Sequence, residues 1–174
     1  ARAVSRAQSL FETERVRVRS MNEADVANLE RVYGDRDAMR YVGDGEPITH
    51  DECVRWVEVT ERNVEKRGYG MSAVEDLDGR LIGFCGLVHP GGQTEAEIKY
   101  ALLREHWGKG LATEVVGAMI DYGVECFGLD EVIATVDPDN AASARVLEKC
   151  GFARAEPRID DDGSTTDVFR WSSP

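Results

Sequence analysis

The stretch Glu105-His106-Trp107-Gly108-Lys109-Gly110-Leu111-Ala112-Thr113 joins a strand-like segment to the longest helical pattern in the chain. Two glycines therefore stand where the backbone turns and where the first helical amides lack an intrahelical partner. Such amides form an anion site, to which the helix dipole adds ~0.3–1 kcal/mol. Glycine matters because, without a Cβ, it lets a phosphate oxygen come close to the amides. A plain turn into a helix is the alternative for a G-x-G pair taken alone. Two other phosphate loops do not fit. A dinucleotide fingerprint needs Gly or Ala at the position of Thr113 and a strand directly before its first glycine, whereas Glu105 to Trp107 intervene. A Walker loop, G-x-x-x-x-G-K-[ST], is absent.

Metal chemistry is not expected. Cys53, Cys85, Cys126 and Cys150 are tens of residues apart, with no C-x-x-C pair or nearby His spacing that would cage zinc, and they read as reduced thiols. His50, His89 and His106 form neither a metal spacing nor a triad, although His106 adjoins the glycine loop.

Composition narrows the partners. The 174 residues suit one domain with a single core. The net charge of −12, from 21 Lys+Arg against 33 Asp+Glu, repels duplex nucleic acid and anionic bilayers. An anionic small molecule must then be met locally, and Lys109, Arg145 and Lys149, with Arg104, are the cations placed to do so. Each is otherwise a solvated surface charge. No apolar run approaches the ~20 residues of a membrane span, and no leader-like apolar stretch opens the sequence, so a cytoplasmic protein is expected.

The elements that must position this loop follow from periodicity. Residues 1–13, with Arg2 and Arg6, show little pattern and are expected as a flexible segment before a single domain over 14–174. Val16 and Val18 alternate with arginines in a strand over Arg15 to Ser20, and Asn22 is expected to cap a helix carrying Val26, Leu29, Val32 and Tyr33. Asp35 to Pro47, broken by Gly43, Gly45 and Pro47, reads as a short helix and an acidic loop. Thr49 and Glu52 form a capping box for a second helix ending near Gly68. Tyr69 to Glu75 and Arg80 to Val88 flank an Asp78-Gly79 hairpin turn. A strand over Ala96 to Leu103 puts Glu97, Lys99 and Ala101 on one face and Ile98, Tyr100 and Leu102 on the other. A helix over Gly108 to Phe127, a strand over Glu131 to Val136 and a helix over Ala141 to Lys149 follow, then strands near Ala153 to Pro157 and Thr165 to Trp171. The order β-α-α-β-β-β-α-β-α-β-β predicts a mixed α/β (α+β) sheet flanked by helices.

Three blocks resemble the GNAT N-acetyltransferases, and within them the RimJ/RimL-type branch: Ala96-Glu97-Ile98-Lys99-Tyr100, then Trp107 to Glu114, then Asn140 to Phe152. Their order and separation match that family from about Glu14 to Trp171. The resemblance implies a mostly antiparallel sheet of six to seven strands with about four helices and one splayed parallel pair, here the strands ending at Leu103 and Val136. It implies acetyl-CoA as acyl donor in the splay. The pyrophosphate would rest on Trp107, Gly108, Lys109, Gly110, Leu111, Ala112 and Thr113, and the pantetheine would pair with backbone near Leu102 and Leu103. Asn140, Ser143 and Lys149 complete the implied cofactor site. The family signature usually opens with Gln or Arg where Glu105 stands here, and the tyrosine acid of many members is replaced by Leu147.

The implied reaction is direct attack of a primary amine on the thioester in a ternary complex. Glu97 is the candidate base, acting through water, and Ser143 the candidate acid toward the departing thiolate. An exposed strand carboxylate and a helix-capping serine are the alternatives. Acidic residues in Asp35 to Glu58 and Glu156 to Asp167, which border the acceptor side in this family, favour a cationic amine or a basic protein N-terminus. The acceptor is either a protein or peptide α-amine or a small-molecule amine. A non-catalytic acyl-CoA-binding module is the competing class, and a homodimer through the C-terminal strands is compatible with the resemblance.

Overall fold

The computed structural model describes residues 8–41 and 45–174. Among them, nine strands and four α-helices run β1 (Ser9–Glu12), β2 (Val16–Ser20), α1 (Asp25–Tyr33), α2 (His50–Arg67), β3 (Met71–Asp76), β4 (Leu81–Val88), β5 (Ala96–Leu102), α3 (Leu111–Phe127), β6 (Glu131–Val136), α4 (Ala141–Lys149), β7 (Ala153–Arg154), β8 (Arg158–Ile159) and β9 (Thr165–Ser172). The sheet order is β1-β2-β3-β4-β5-β6-β9-β7, with β8 also on β9. Every pairing is antiparallel except β5 with β6. The mixed sheet with one parallel pair is the fold class expected, and the strands beyond six or seven are the short β1, β7 and β8.

Side-chain alternation divides the core into two layers. Val16, Val18, Ile82, Ile98 and Leu102 meet Leu111, Val115 and Met119 of α3 and Ala144 and Leu147 of α4 on one face. On the other face Met71, Ala73 and Phe84 meet Leu29 and Val32 of α1 and Cys53 and Val57 of α2. The helix boundaries have local causes. At α2, the Thr49 hydroxyl accepts the Glu52 amide at 3.2 Å and meets the Glu52 carboxylate at 3.0 Å, the expected capping box.

Four expectations change. Ser9–Glu12, placed in the flexible segment, pairs with β2, while Arg2 and Arg6 lie outside the described residues. Asn22 does not cap α1: its side chain accepts the Ala24 amide at 2.8 Å in a preceding turn, and the helix starts at the buried Asp25, held by Arg19. Residues 36–41 form turns, not a helix, because Asp35 and Asp37 are drawn to Arg104; Gly43 and Asp44 lie outside the described residues. The third long helix begins at Leu111 and not at Gly108, since Gly108 and Gly110 have φ of +72° and +76°.

Candidate active site

The parallel pair opens into a cleft. β5 and β6 are in register only at Ala96 with Val132 and Glu97 with Ile133, so their C-terminal halves part. Leu103 donates its amide to the Ile82 carbonyl at 2.8 Å, which turns that residue's backbone toward β4. By antiparallel alternation, the backbone of Leu102 and Tyr100 faces the edge that β6 has left. The Leu102 carbonyl there already accepts the Trp107 indole N–H at 2.8 Å. Of the two residues expected to pair with a pantetheine arm, Leu102 faces the opening and Leu103 does not.

A cavity of about 800 Å³ fills this splay. Tyr100 to Leu102 of β5 form its floor; Trp107, Gly108 and Gly110 to Thr113 form one end; and Asn140, Ala142, Ser143, Arg145, Val146 and Lys149 of α4 form a wall. Asp37, Ala38, Arg40 and Tyr41, from the α1–α2 connection, close the opposite side with Arg104 and His106. Lys109, Leu103 and Glu97 do not line it. Glu105, the departure from the family signature, is exposed and lies outside the lining, its Oε1 3.8 Å from His106 Nε2.

The end of the cleft is an anion cradle. Gly110 caps α3 with left-handed backbone and no side-chain capping bond, and the first intrahelical bond runs from the Glu114 amide to the Gly110 carbonyl at 3.1 Å. The amides of Leu111, Ala112 and Thr113 thus precede the helical ladder with no side chain serving them. Arg145 and Lys149 supply cationic charge beside them. Free amides, an open strand edge and flanking cations suit the thioester arm and diphosphate of acetyl-CoA.

At the floor, Tyr100 Oη and Ser143 Oγ are 2.6 Å apart. Asn140 caps α4, its Oδ1 accepting the Ser143 amide at 3.2 Å, which fixes the serine's place at the helix start. Burial pushes the Tyr100 hydroxyl up to about 12, the Ser143 hydrogen bond opposing it, so it is a neutral hydrogen-bonding group at neutral pH. Tyr100 belongs to this site although sequence reasoning gave it no role; the signal available was its face, shared with Ile98 and Leu102.

Glu97 is elsewhere. It is 2 % exposed on the opposite face of β5, where its Oε2 takes the Thr135 hydroxyl at 2.9 Å and Lys99 Nζ at 2.7 Å and its Oε1 takes Gln93 Nε2 at 3.2 Å. The structure therefore does not bring Glu97 and Ser143 together. Three donors occupy the carboxylate oxygens of Glu97 on that face. Several carboxylates of the acidic stretches are likewise engaged. Arg104 Nη2 pairs with Asp35 at 2.6 Å and Asp37 at 2.7 Å, and Asp160 and Asp162 accept hydrogen bonds within the β8–β9 turn. Among the described residues no cluster of three or more His, Cys, Asp or Glu side chains could hold a metal, and no helix is long and apolar enough to cross a membrane.

The family model of the acetyltransferase (GNAT) domain matches residues 15–153. The chain belongs to the GNAT acetyltransferases. It is 36% identical over 152 residues to the uncharacterized protein YkkB of Bacillus subtilis, covering 84% of this chain and 86% of that one. Among solved structures, RimL, a ribosomal L7/L12 alpha-N-protein acetyltransferase in complex with coenzyme A, shares the fold with a TM-score of 0.80 at 14% identity, over 95% of this chain and 98% of that one. The spermidine N-acetyltransferase of Vibrio cholerae, in complex with CoA and spermine, does so with a TM-score of 0.74 at 22% identity, over 91% and 94%. This GNAT protein is accordingly an acyltransferase.

Proposed function

We propose that this GNAT enzyme moves an acetyl group from acetyl-CoA to an α-amino group of a protein or peptide, by direct attack within a ternary complex. One observation carries the choice of acceptor. Among the described residues Asp37 is the one carboxylate lining the cleft, and it is ion-paired with Arg104. Among the described residues, an amine entering there meets no unpaired carboxylate to deprotonate it. At pH 7.5 an α-amine with pKa ≈ 7.7–8.0 is roughly a quarter to two-fifths neutral, whereas an alkyl amine near 10.4 is only about 0.1% neutral. Arg40 on the acceptor side also weighs against a polycation such as spermidine. RimL acts on a protein α-amine, which supports the same reading by analogy of fold only.

The test is an acceptor panel at pH 7.5 with acetyl-CoA. Peptides with free N-termini are expected to exceed spermidine at least 100-fold in kcat/KM, with a pH profile that levels off near pH 8. Faster turnover of spermidine would overturn the acceptor assignment.

Within this reading Ser143, held in place by Asn140 and Tyr100, passes its hydroxyl proton to the departing thiolate as the C–S bond breaks and regains one from the newly acylated nitrogen. A thiolate whose thiol has pKa about 8.5 needs only modest help. Ser143→Ala is therefore expected to lower kcat by about 10–10²-fold, at the low end of general-acid effects. The dissociation constant for coenzyme A, measured by calorimetry, is expected to stay within threefold; an unchanged kcat would remove the role.

A further inference from the structure

The turn between β1 and β2 reaches the glycine loop from outside the cleft. Arg15 Nη1 donates to the Lys109 carbonyl at 2.9 Å, and its Nε donates to Glu114 Oε1 at 2.7 Å. Glu114 Oε2 takes the Arg15 amide at 3.1 Å and the Thr13 hydroxyl at 2.6 Å. A second Arg15 nitrogen, Nη2, lies 3.6 Å from where a Cβ on Gly110 would stand. One guanidinium thus ties the carbonyl before Gly110 to the first turn of α3.

This arrangement has a directional consequence. In a trans peptide the carbonyl of one residue and the amide of the next point in opposite directions. With the Lys109 carbonyl captured on the outside, the Gly110 N–H is directed away from Arg15, and Gly110 lines the cleft. Left free, the Lys109-Gly110 peptide between two glycines could rotate and present its carbonyl to the anion. The same contact also manages charge. Glu114 stands in the first turn of α3, close to where a diphosphate would rest, and its carboxylate is turned outward onto Arg15 and Thr13. Burial pushes that carboxyl up, but the hydrogen bonds from Thr13 and Arg15 and the guanidinium charge outweigh it and hold it below the ordinary Glu range.

The geometry points to Arg15 as a positioning residue for the donor: through the Lys109 carbonyl and Glu114 it presets the loop amides for the diphosphate of coenzyme A without touching it. This rests on the reading of the cleft as the acetyl-CoA site. Planarity and the fork are what the role needs, since one guanidinium must serve a carboxylate and a carbonyl at once.

The experiment compares Arg15→Ala and Arg15→Lys with the unaltered protein, titrating coenzyme A by calorimetry and following turnover with acetyl-CoA and with S-acetylpantetheine, which lacks the diphosphate. In Arg15→Ala the dissociation constant for coenzyme A is expected to rise about 10-fold and the KM for acetyl-CoA with it, while kcat stays within twofold. Arg15→Lys keeps the charge without the fork and is expected to show most of that loss. Turnover of S-acetylpantetheine is expected to be unchanged in both. Should Arg15→Ala fail to fold, Arg15→Lys decides by the same criteria. Coenzyme A affinity within twofold of the unaltered protein, or an equal loss with S-acetylpantetheine, would overturn the assignment. No binding of coenzyme A by the unaltered protein would instead overturn the reading of the cleft, and the assignment with it.

Discussion

Gly110→Val is expected to raise the dissociation constant for coenzyme A by about 10²–10⁴-fold while lowering stability by only about 1–2 kcal/mol. The stability cost is that of a left-handed conformation, which a β-branched side chain rarely adopts. Gly110 holds φ +76°, and a Cβ there would meet only Arg15 Nη2 at 3.6 Å, an ordinary contact. Strain and not collision is the penalty. The backbone can relieve it by returning φ to negative values, which rotates the Lys109-Gly110 peptide and displaces the start of α3. The loop would then lose its alignment toward an anion. Two hydrogen bonds to a charged group at about 1.5–3 kcal/mol each amount to about 3–6 kcal/mol, which is the fold-change given. Gly79→Val is the matched control. Gly79 has φ +85° in the β3–β4 turn with nothing within 4 Å of its Cβ position. Both variants are expected to lose roughly 2–8 °C in Tm, but only Gly110→Val should lose coenzyme A in calorimetry. Binding within threefold of the unaltered protein would show that the loop amides do not carry the donor.

The contrast between those two glycines shows where sequence reasoning succeeds. Local signals are legible because their partners are near in the chain. Thr49 and Glu52 mark the start of α2, β6 and α4 follow from periodicity with the bounds observed, and the glycine loop stands out through its place before a helix. The contacts that shape the site join residues far apart: Arg15 to Glu114, Arg104 to Asp35, and Tyr100 to Ser143. Each is polar, has no periodicity of its own and joins elements that only the sheet topology brings together. Glu97 illustrates both halves. Alternation puts it on the face of Lys99 and Ala101, as observed, but nothing in the sequence reports that Thr135 and Gln93 satisfy its oxygens and remove it from the cleft. The edge strand β1 was missed for a different reason. Four residues with two exposed ends carry too little alternation to stand out from an irregular segment.

Asp25→Ala is expected to destabilise the fold by about 3–5 kcal/mol, because it leaves a largely buried cation with half of its compensation. Asp25 is fully buried at the start of α1, and its carboxylate takes both Arg19 Nη atoms at 2.8 Å, the Asn22 amide at 3.0 Å and Asn28 Nδ2 at 3.0 Å. Arg19 retains Glu75, at 3.1 Å from Nε, as its one anionic partner, and the Ser20 carbonyl, at 3.1 Å from Nη1. The pH dependence has a defined sign. Burial pushes the Asp25 carboxyl up, but hydrogen bonds from Arg19, Asn28 and the Asn22 amide, with the charge of Arg19, outweigh it and leave the group below its ordinary value. The unfolded chain therefore binds the proton more readily, and stability rises with pH through this range. The contribution is complete above the unfolded value of about 3.9 and is lost as pH falls through the lower folded value. Urea unfolding of the unaltered protein and Asp25→Asn at pH 7 and in steps down to pH 3 tests this. The gap between them is expected to be constant from pH 7 to about 5 and to narrow below about 4. A gap under 1 kcal/mol at pH 7, or one that widens in acid, would contradict it. The effect should also reach the cleft, since α1 leads directly to Asp35 and Asp37, the residues through which Arg104 holds the acceptor wall. Where Asp25→Asn remains folded, the KM for the amine is expected to rise more than the dissociation constant for coenzyme A, whose cradle at the start of α3 does not depend on α1.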